Sequence, residues 1–225
     1  MRPGHVTGTV QAVLLDMDGT LVRSEHVHRA VWRRFFTAWQ VDVDDERYAR
    51  TVMGRRASDV LAQMPGPWAD DLPTAIAGLH ADVHGSADDV AVVDGAVELV
   101  HELRQRGYRL AVVTSAGRYW ARPVLEDVLG VADALDVVVT ADEVAVGKPS
   151  PEGYLRACHR LAVAPAACVA VEDSPSGVRA LVAAGVRTVV GVTTTTTVDE
   201  LRDAGAVATV PDLRPTLALP ALGLV

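Results

Sequence analysis

Lysine is nearly absent from this chain. Of its 21 lysine and arginine residues, only Lys148 is a lysine. A sequence that uses arginine everywhere else marks that position as one needing a compact ammonium in place of a planar guanidinium. Cysteine is scarce as well. Cys158 and Cys168 have no metal-type spacing, which excludes a disulfide framework or a cysteine zinc site and predicts two buried thiols in a reducing compartment. No apolar run is long enough to span a bilayer, and the apolar tail at 217–225 is far too short, so no membrane partner is expected. Residues 1–13 lack the apolar core of a secretory signal, and a cytoplasmic location is expected. There is no basic stripe, and the formal net charge is −8, which argues against nucleic acid as a partner. No internal repeat is visible.

The composition, 49% hydrophobic and 22% charged, supplies a sizeable core for one large domain or one domain carrying an insertion. The most informative stretch is 10–22, VQAVLLDMDGTLV. Its apolar start reads as a strand buried on both faces. It ends in Asp16-Met17-Asp18-Gly19-Thr20. Two carboxylates so close together are costly unless a cation sits between them. Gly19 lets the chain leave the strand through a turn most residues could not take.

From there strands and helices alternate. Strands are expected at 10–15, 109–113, 136–139, 168–171 and 187–192. Helices are expected at 96–106, 119–129 and 151–161, and from Ser174-Pro175 to Gly185. Ser150-Pro151 and Ser174-Pro175 each pair a helix N-cap with a proline at the first helical position. In the threonine run 193–197, Thr197 with Glu200 reads as a capping box, a stronger reading than a polar loop at the rim of a site. Such alternation predicts an α/β fold: a Rossmann-like parallel sheet with helices on both faces. Between 22 and 94 the alternation stops. Helical patterns at 25–40, 45–53, 58–63 and 69–84, with Pro65-Gly66-Pro67 as a break, predict an α-helical cap domain at 23–93. The core would then comprise 1–22 and 94–225.

Four groups fall at expected strand ends, where open parallel sheets bind ligands. They are Asp16 with Asp18, Thr114 with Ser115, Lys148 in GKPSP, and Glu172 with Asp173 in VEDSPSG. Two acidic clusters on separate strands can share a hard cation through oxygen, for which Mg²⁺ is suited. A hydroxyl and an ammonium can hold phosphoryl oxygens, and the cation with Lys148 offsets the repulsion between an anionic nucleophile and a phosphate.

With DMDGT, VVTS, GKPSP and VEDSPSG in that order, the chain resembles the haloacid dehalogenase superfamily from Val10 to about Ala208. The helical insert resembles the small cap of its β-phosphoglucomutase-like branch, and VTADEVAVGKPSPEGYL and VAVEDSPSGVRALVAAG resemble the sugar- and polyol-phosphate phosphatases. The resemblance implies a small phosphorylated metabolite as partner, and a monomer or weak homodimer is expected. It implies Asp16 as nucleophile and Asp18 as acid and base. It implies Mg²⁺ on the Asp16 carboxylate, the Asp18 carbonyl and Asp173, with Glu172 close by. Thr114, Ser115, Lys148 and Gly19 would bind the phosphoryl group. In the cap it points to the loop Met53-Gly54-Arg55-Arg56, with Arg56 gripping sugar hydroxyls or phosphate, and to His28, Glu25 and Trp32. His28 falls where the mutases carry a histidine that helps switch the acid–base aspartate. The alternative is a β-phosphoglucomutase-like phosphomutase; the absence of a cap lysine and the presence of Thr20 weigh towards a phosphatase. Asp18 argues against dehalogenation, and the lysine-free cap against phosphonate cleavage. A signalling receiver module fits poorly, because its acidic pair precedes the phosphoacceptor strand and it lacks a cap.

Overall fold

Strand β1, Ala12–Leu15, is buried along its whole length. Each leucine fully buried there contributes about 1.5–3 kcal/mol. Parallel partners flank it on both sides: β4, Arg109–Val113, and β6, Cys168–Glu172. The computed structural model describes residues 9–64, 66–84 and 90–224. Within them a six-stranded parallel sheet runs in the order β5-β4-β1-β6-β7-β8, where β5 is Val137–Val139, β7 is Thr188–Val192 and β8 is Ala208–Val210. Leu15 lies opposite both Val112 and Val171. This register delivers Asp16, Thr114 and Asp173 to the same carboxyl edge of the sheet, side by side.

Alternation along β1 separates two apolar layers. Ala12 and Leu14 face α7 (Glu152–Leu161), α8 (Pro175–Ala184) and α9 (Val198–Ala204) through Tyr154, Val178 and Leu201. Val13 and Leu15 face α5 (Ala96–Gln105), α6 (Arg118–Pro123) and α10 (Pro215–Leu222) through Leu99, Trp120 and Leu219. Helices therefore cover both faces, as the sequence pattern predicts. The Ser174 hydroxyl caps α8 by accepting the Gly177 N–H at 3.1 Å, and Thr197 with Glu200 forms the expected capping box. Such a cap is worth about 1 kcal/mol.

Several boundaries move for local reasons. The helix expected at 119–129 is interrupted, because Pro123 supplies no N–H. A π-helical turn, Val124–Val128, follows, with the Leu129 N–H reaching back to the Val124 carbonyl at 2.9 Å. Helix α7 starts at Glu152, not at Pro151; Ser150 Oγ accepts from the Glu152 N–H at 3.3 Å. The helix expected at 69–84 divides into a 3₁₀ turn, Pro67–Asp71, and α4, Leu72–His84. Of the expected break, Gly66 and Pro67 are described; Pro65 lies outside the described residues, as do 1–8 and 85–89 of the two expected domains.

The remaining helices form a block of their own: α1 (Glu25–Ala38), α2 (Asp45–Thr51), α3 (Ala57–Gln63) and α4. Its centre is aromatic. Trp32 stacks on Phe36 at 5.3 Å, while Phe35, Phe36 and Trp39 close around Trp68 at 5.4–6.3 Å. The buried Trp68 indole N–H donates to the Leu61 and Met64 carbonyls at 3.1 and 3.2 Å. At its two borders, β2 (Val22–Arg23) pairs antiparallel with β3 (Ala91–Val92). No described helix is long and apolar enough to cross a membrane. Cys158 and Cys168 are both buried, their sulfurs 3.8 Å apart.

Candidate active site

Asp16 continues the line of β1, its N–H bonded to the Val171 carbonyl at 3.1 Å. Its Oδ1 accepts from Lys148 Nζ at 2.5 Å. The same ammonium donates to Glu172 Oε1 at 2.8 Å and to the Val113 carbonyl at 3.2 Å, which uses all three of its protons. The one lysine of the chain is thus a buried bridge between two motif strands. Glu172 Oε2 accepts from the Ser174 N–H at 2.6 Å and the Ser174 hydroxyl at 2.9 Å. A Cβ at Gly177 would fall 1.5 Å from Glu172 Oε1, so only glycine fits there. Asp173 Oδ1 accepts from Thr20 Oγ1 at 3.2 Å, and Oδ2 accepts from Thr195 Oγ1. Gly19, at φ +86°, passes so close that a Cβ would lie 2.0 Å from Asp173 Oδ2.

Oxygens of Asp16, Glu172 and Asp173 all lie within 4.8 Å of one another, and all three side chains are buried. Three carboxylates therefore face one ammonium. Burial pushes the Asp16 carboxyl up to about 7, with Lys148 opposing and Glu172 adding to the shift. Asp173 is driven well above the usual range by burial, then by Glu172 and Asp16. Burial works against the Lys148 ammonium, but Asp16 and Glu172 hold its pKa well above the ordinary value. Asp16 Oδ2 is buried and has no hydrogen-bond partner. A deficit of positive charge and an orphaned carboxylate oxygen suit a hard cation bound by oxygen.

Asp18 turns away from this cluster towards the helical block. Its Oδ1 accepts from Ser24 Oγ at 2.7 Å and Trp120 Nε1 at 2.8 Å, and lies 3.1 Å from His28 Nε2. Its Oδ2 accepts from Thr114 Oγ1 at 3.2 Å. Burial raises the Asp18 pKa, but His28, then Ser24 and Trp120, outweigh it and hold the carboxyl below its usual value. Burial pulls His28 down, and the bond to Asp18 with its charge more than reverses that. The His28 and Trp120 rings meet edge-on at 5.3 Å.

A cavity of about 290 Å³ lies between the sheet edge and the helical block, with Asp18, Gly19 and Asp173 on one side and Glu25, Trp32 and Tyr48 on the other. Glu25 Oε1 is buried without a hydrogen-bond partner, and Tyr48, lining the same cavity, has its pKa raised by burial and then by the Glu25 charge. Arg55 and Arg56 both border the cavity. Arg55 reaches Gln63 Oε1 at 2.7 Å and the Thr51 carbonyl at 3.3 Å. Arg56 does not reach into the cavity with free donors, contrary to the gripping role expected of it. Its Nε and Nη2 clasp the Asp59 carboxylate at 3.1 and 2.6 Å, Nη1 donates to Val144 and Ala141 carbonyls, and Nη2 also donates to Ala145. All five donors are taken by a bridge from α3 to the segment after β5. Ser115 Oγ, beside it, donates to the Gly54 carbonyl at 3.3 Å.

The strand-end residues expected from sequence thus come together, and His28 and Glu25 reach the same cavity. Ser24, Trp120, Thr20 and Thr195 were not singled out as bonding partners. Ser24 reads as a helix cap, yet its hydroxyl makes no cap bond and goes to Asp18 instead. Trp120 reads as core, and only its indole N–H reveals a second task.

The family model of the haloacid dehalogenase-like hydrolases matches residues 10–185. The chain is 40% identical to the validoxylamine A 7′-phosphate phosphatase of Streptomyces hygroscopicus subsp. limoneus, over 86% of this chain and 91% of that protein. It is 32% identical to hexitol phosphatase A of Escherichia coli K12, over 76% and 78%. The crystal structure of CbbY from Rhodobacter sphaeroides in complex with phosphate superposes with a TM-score of 0.82 at 28% identity, covering 96% of this chain and all of that one.

Proposed function

Because the chain belongs to the haloacid dehalogenase-like hydrolase family, we propose that it is a Mg²⁺-dependent phosphatase of a small sugar-like or polyol phosphomonoester. The observation that carries this reading is the buried trio Asp16, Glu172 and Asp173 with one lysine and an orphaned Asp16 Oδ2, set beside an aspartate held by four donors. The Asp16 carboxylate, the Asp18 backbone carbonyl and Asp173 would hold the ion, with Glu172 next to them. When bound, it supplies the positive charge that lets a carboxylate approach phosphoryl oxygens.

Asp16 attacks phosphorus, an acyl–phosphate bond forms, and the bond from phosphorus to the alcohol oxygen breaks. Lys148, bonded to Oδ1, offsets the charge of Asp16 as the carboxylate approaches the phosphoryl group. His28, 3.1 Å away, supplies Asp18 with a proton, and Asp18 passes it to the departing alkoxide, which leaves Asp18 a carboxylate. Asp18 then takes a proton from water, which attacks phosphorus and regenerates Asp16. Gly19, Thr114 and the Ser115 backbone receive the phosphoryl oxygens, and Lys148 joins them by turning one proton away from the Val113 carbonyl. Residues 23–93 act as a mobile cap on a core of 1–22 and 94–225, with the β2–β3 pair at the crossing, and closure excludes bulk water. Glu25, Tyr48, Gly54 and Arg55 contact the leaving group. The cavity wall favours a single phosphate: Glu25 and Asp142 face it, and Arg56 is fully bonded, which disfavours a bisphosphate and with it a mutase cycle. A cytoplasmic monomer or weak homodimer completes the reading.

The test is phosphate release from hexitol phosphates, hexose 6-phosphates, glycerol 3-phosphate, validoxylamine A 7′-phosphate and β-glucose 1-phosphate, with and without Mg²⁺. Mg²⁺-dependent release with a clear preference is expected. Conversion of β-glucose 1-phosphate to glucose 6-phosphate without net release would overturn the phosphatase reading.

A further inference from the structure

Thr197 accounts for one residue of the threonine run at 193–197 by capping α9. Two others do something else. The Thr194 hydroxyl donates to the Gly19 carbonyl, and the Thr195 hydroxyl donates to Asp173 Oδ2. Thr20 donates to the other oxygen of the same carboxylate at 3.2 Å. The run begins where β7 ends, at the strand beside β6, with Gly191 in register with Glu172. It therefore passes directly over the edge that presents Asp173.

We propose that Thr195 is a positioning residue for the cation site, holding the Asp173 carboxylate in its ligating orientation, while Thr194 ties the Gly19 turn to the same loop. The proposal rests on the reading of the acidic trio as the seat of a divalent cation. Asp173 is buried beside Glu172 and Asp16, so like-charge repulsion pushes its carboxylate to rotate away. A hydroxyl on each oxygen fixes both the rotation and the tilt. Each oxygen accepts one such bond and keeps a further lone pair for a metal. Hydroxyls suit this place because they add no charge: an arginine or lysine at 195 would neutralise Asp173 and compete with the ion. Outer partners of this kind set how well a ligand binds its metal.

The experiment is titration of the substrate-free protein with Mn²⁺, followed by electron paramagnetic resonance, for wild type, Thr195→Val, Thr195→Ser and Thr193→Val. Thr193 bonds to the Val210 carbonyl and serves as the control in the same run. Thr195→Val should weaken Mn²⁺ binding about 10–100-fold, while Thr195→Ser restores it. Thr193→Val should bind as wild type does, and the Mg²⁺ concentration needed for half-maximal activity should rise in Thr195→Val while kcat recovers at saturating Mg²⁺. Equal Mn²⁺ affinity in wild type and a folded Thr195→Val overturns the proposal alone. Absence of Mn²⁺ binding in wild type overturns the cation reading, and the proposal with it.

Discussion

The two walls of the cavity are built on opposite plans. The sheet edge is polar and buried: Lys148 holds Glu172, Glu172 accepts from Ser174, Thr20 holds Asp173, and glycines at 19 and 177 pass too close to the carboxylates for any side chain. The helical wall is an aromatic cluster with a few carboxylates and arginines at its surface, joined to the core through β2–β3 and through the bridge made by Arg56. An edge of that kind can carry one invariant piece of chemistry, because every group in it restrains the next. A wall of that kind can be repacked without touching the chemistry. On this account the edge sets the reaction and the wall chooses the substrate.

Substitutions at the edge should therefore lower turnover on every substrate alike. Asp16→Asn removes the nucleophile, and kcat should fall about 10,000-fold or more in the phosphate-release assay; residual activity near wild type would break the comparison at its centre. Trp120→Phe sharpens it, since Trp120 belongs to the core but holds Asp18 from the cavity side. Losing one hydrogen bond to a carboxylate, worth about 1.5–3 kcal/mol, should reduce kcat about 10–100-fold with KM little changed. A loss confined to KM would make Trp120 a packing residue of the wall.

At the wall, two variants separate choice from closure. Glu25→Gln should reorder the ranking of substrates. Arg56→Lys cannot make the paired bonds to Asp59 and should raise KM for all of them together, about 5–30-fold for the 1–2 kcal/mol lost from the bridge. A reordered ranking in Arg56→Lys would return that arginine to substrate recognition. The smallest effect is one of pH. His28 is held above its ordinary value of 6.5 by Asp18. Stability from that pair is present in full below 6.5, and is lost as pH rises through the raised value. The melting-temperature gap between wild type and His28→Asn should accordingly narrow as pH rises above the ordinary histidine value of 6.5.

The same division explains what could be read from the sequence. Chemistry at a strand end is local: the apolar run before Asp16, the glycine after Asp18 and the Ser-Pro signal after Asp173 each lie within a few residues of what they position. The lone lysine stood out by composition, and it bridges Asp16 and Glu172. The bonds that escaped notice act at long range. Trp120 bonds an aspartate 102 positions away, Thr195 one 22 positions away, and Arg56 carbonyls 85 to 89 positions away. Trp120 and Arg56 each have a satisfactory local role, as core and as helix start, and Thr195 is overshadowed by the capping box of its neighbour Thr197, so the tertiary role is concealed. The helices of the block were legible, but the surface they present to the cavity depends on the aromatic packing around Trp68, which no local pattern specifies.

The most direct test of the account is to mix the protein and Mg²⁺ with its best phosphomonoester, quench in acid within the first turnover, and map the phosphoryl group by peptide mass. The account predicts an acyl phosphate on Asp16 that is absent from Asp16→Asn. Mg²⁺-dependent phosphate release with no phosphoryl group on Asp16, or with one on another residue, would contradict it.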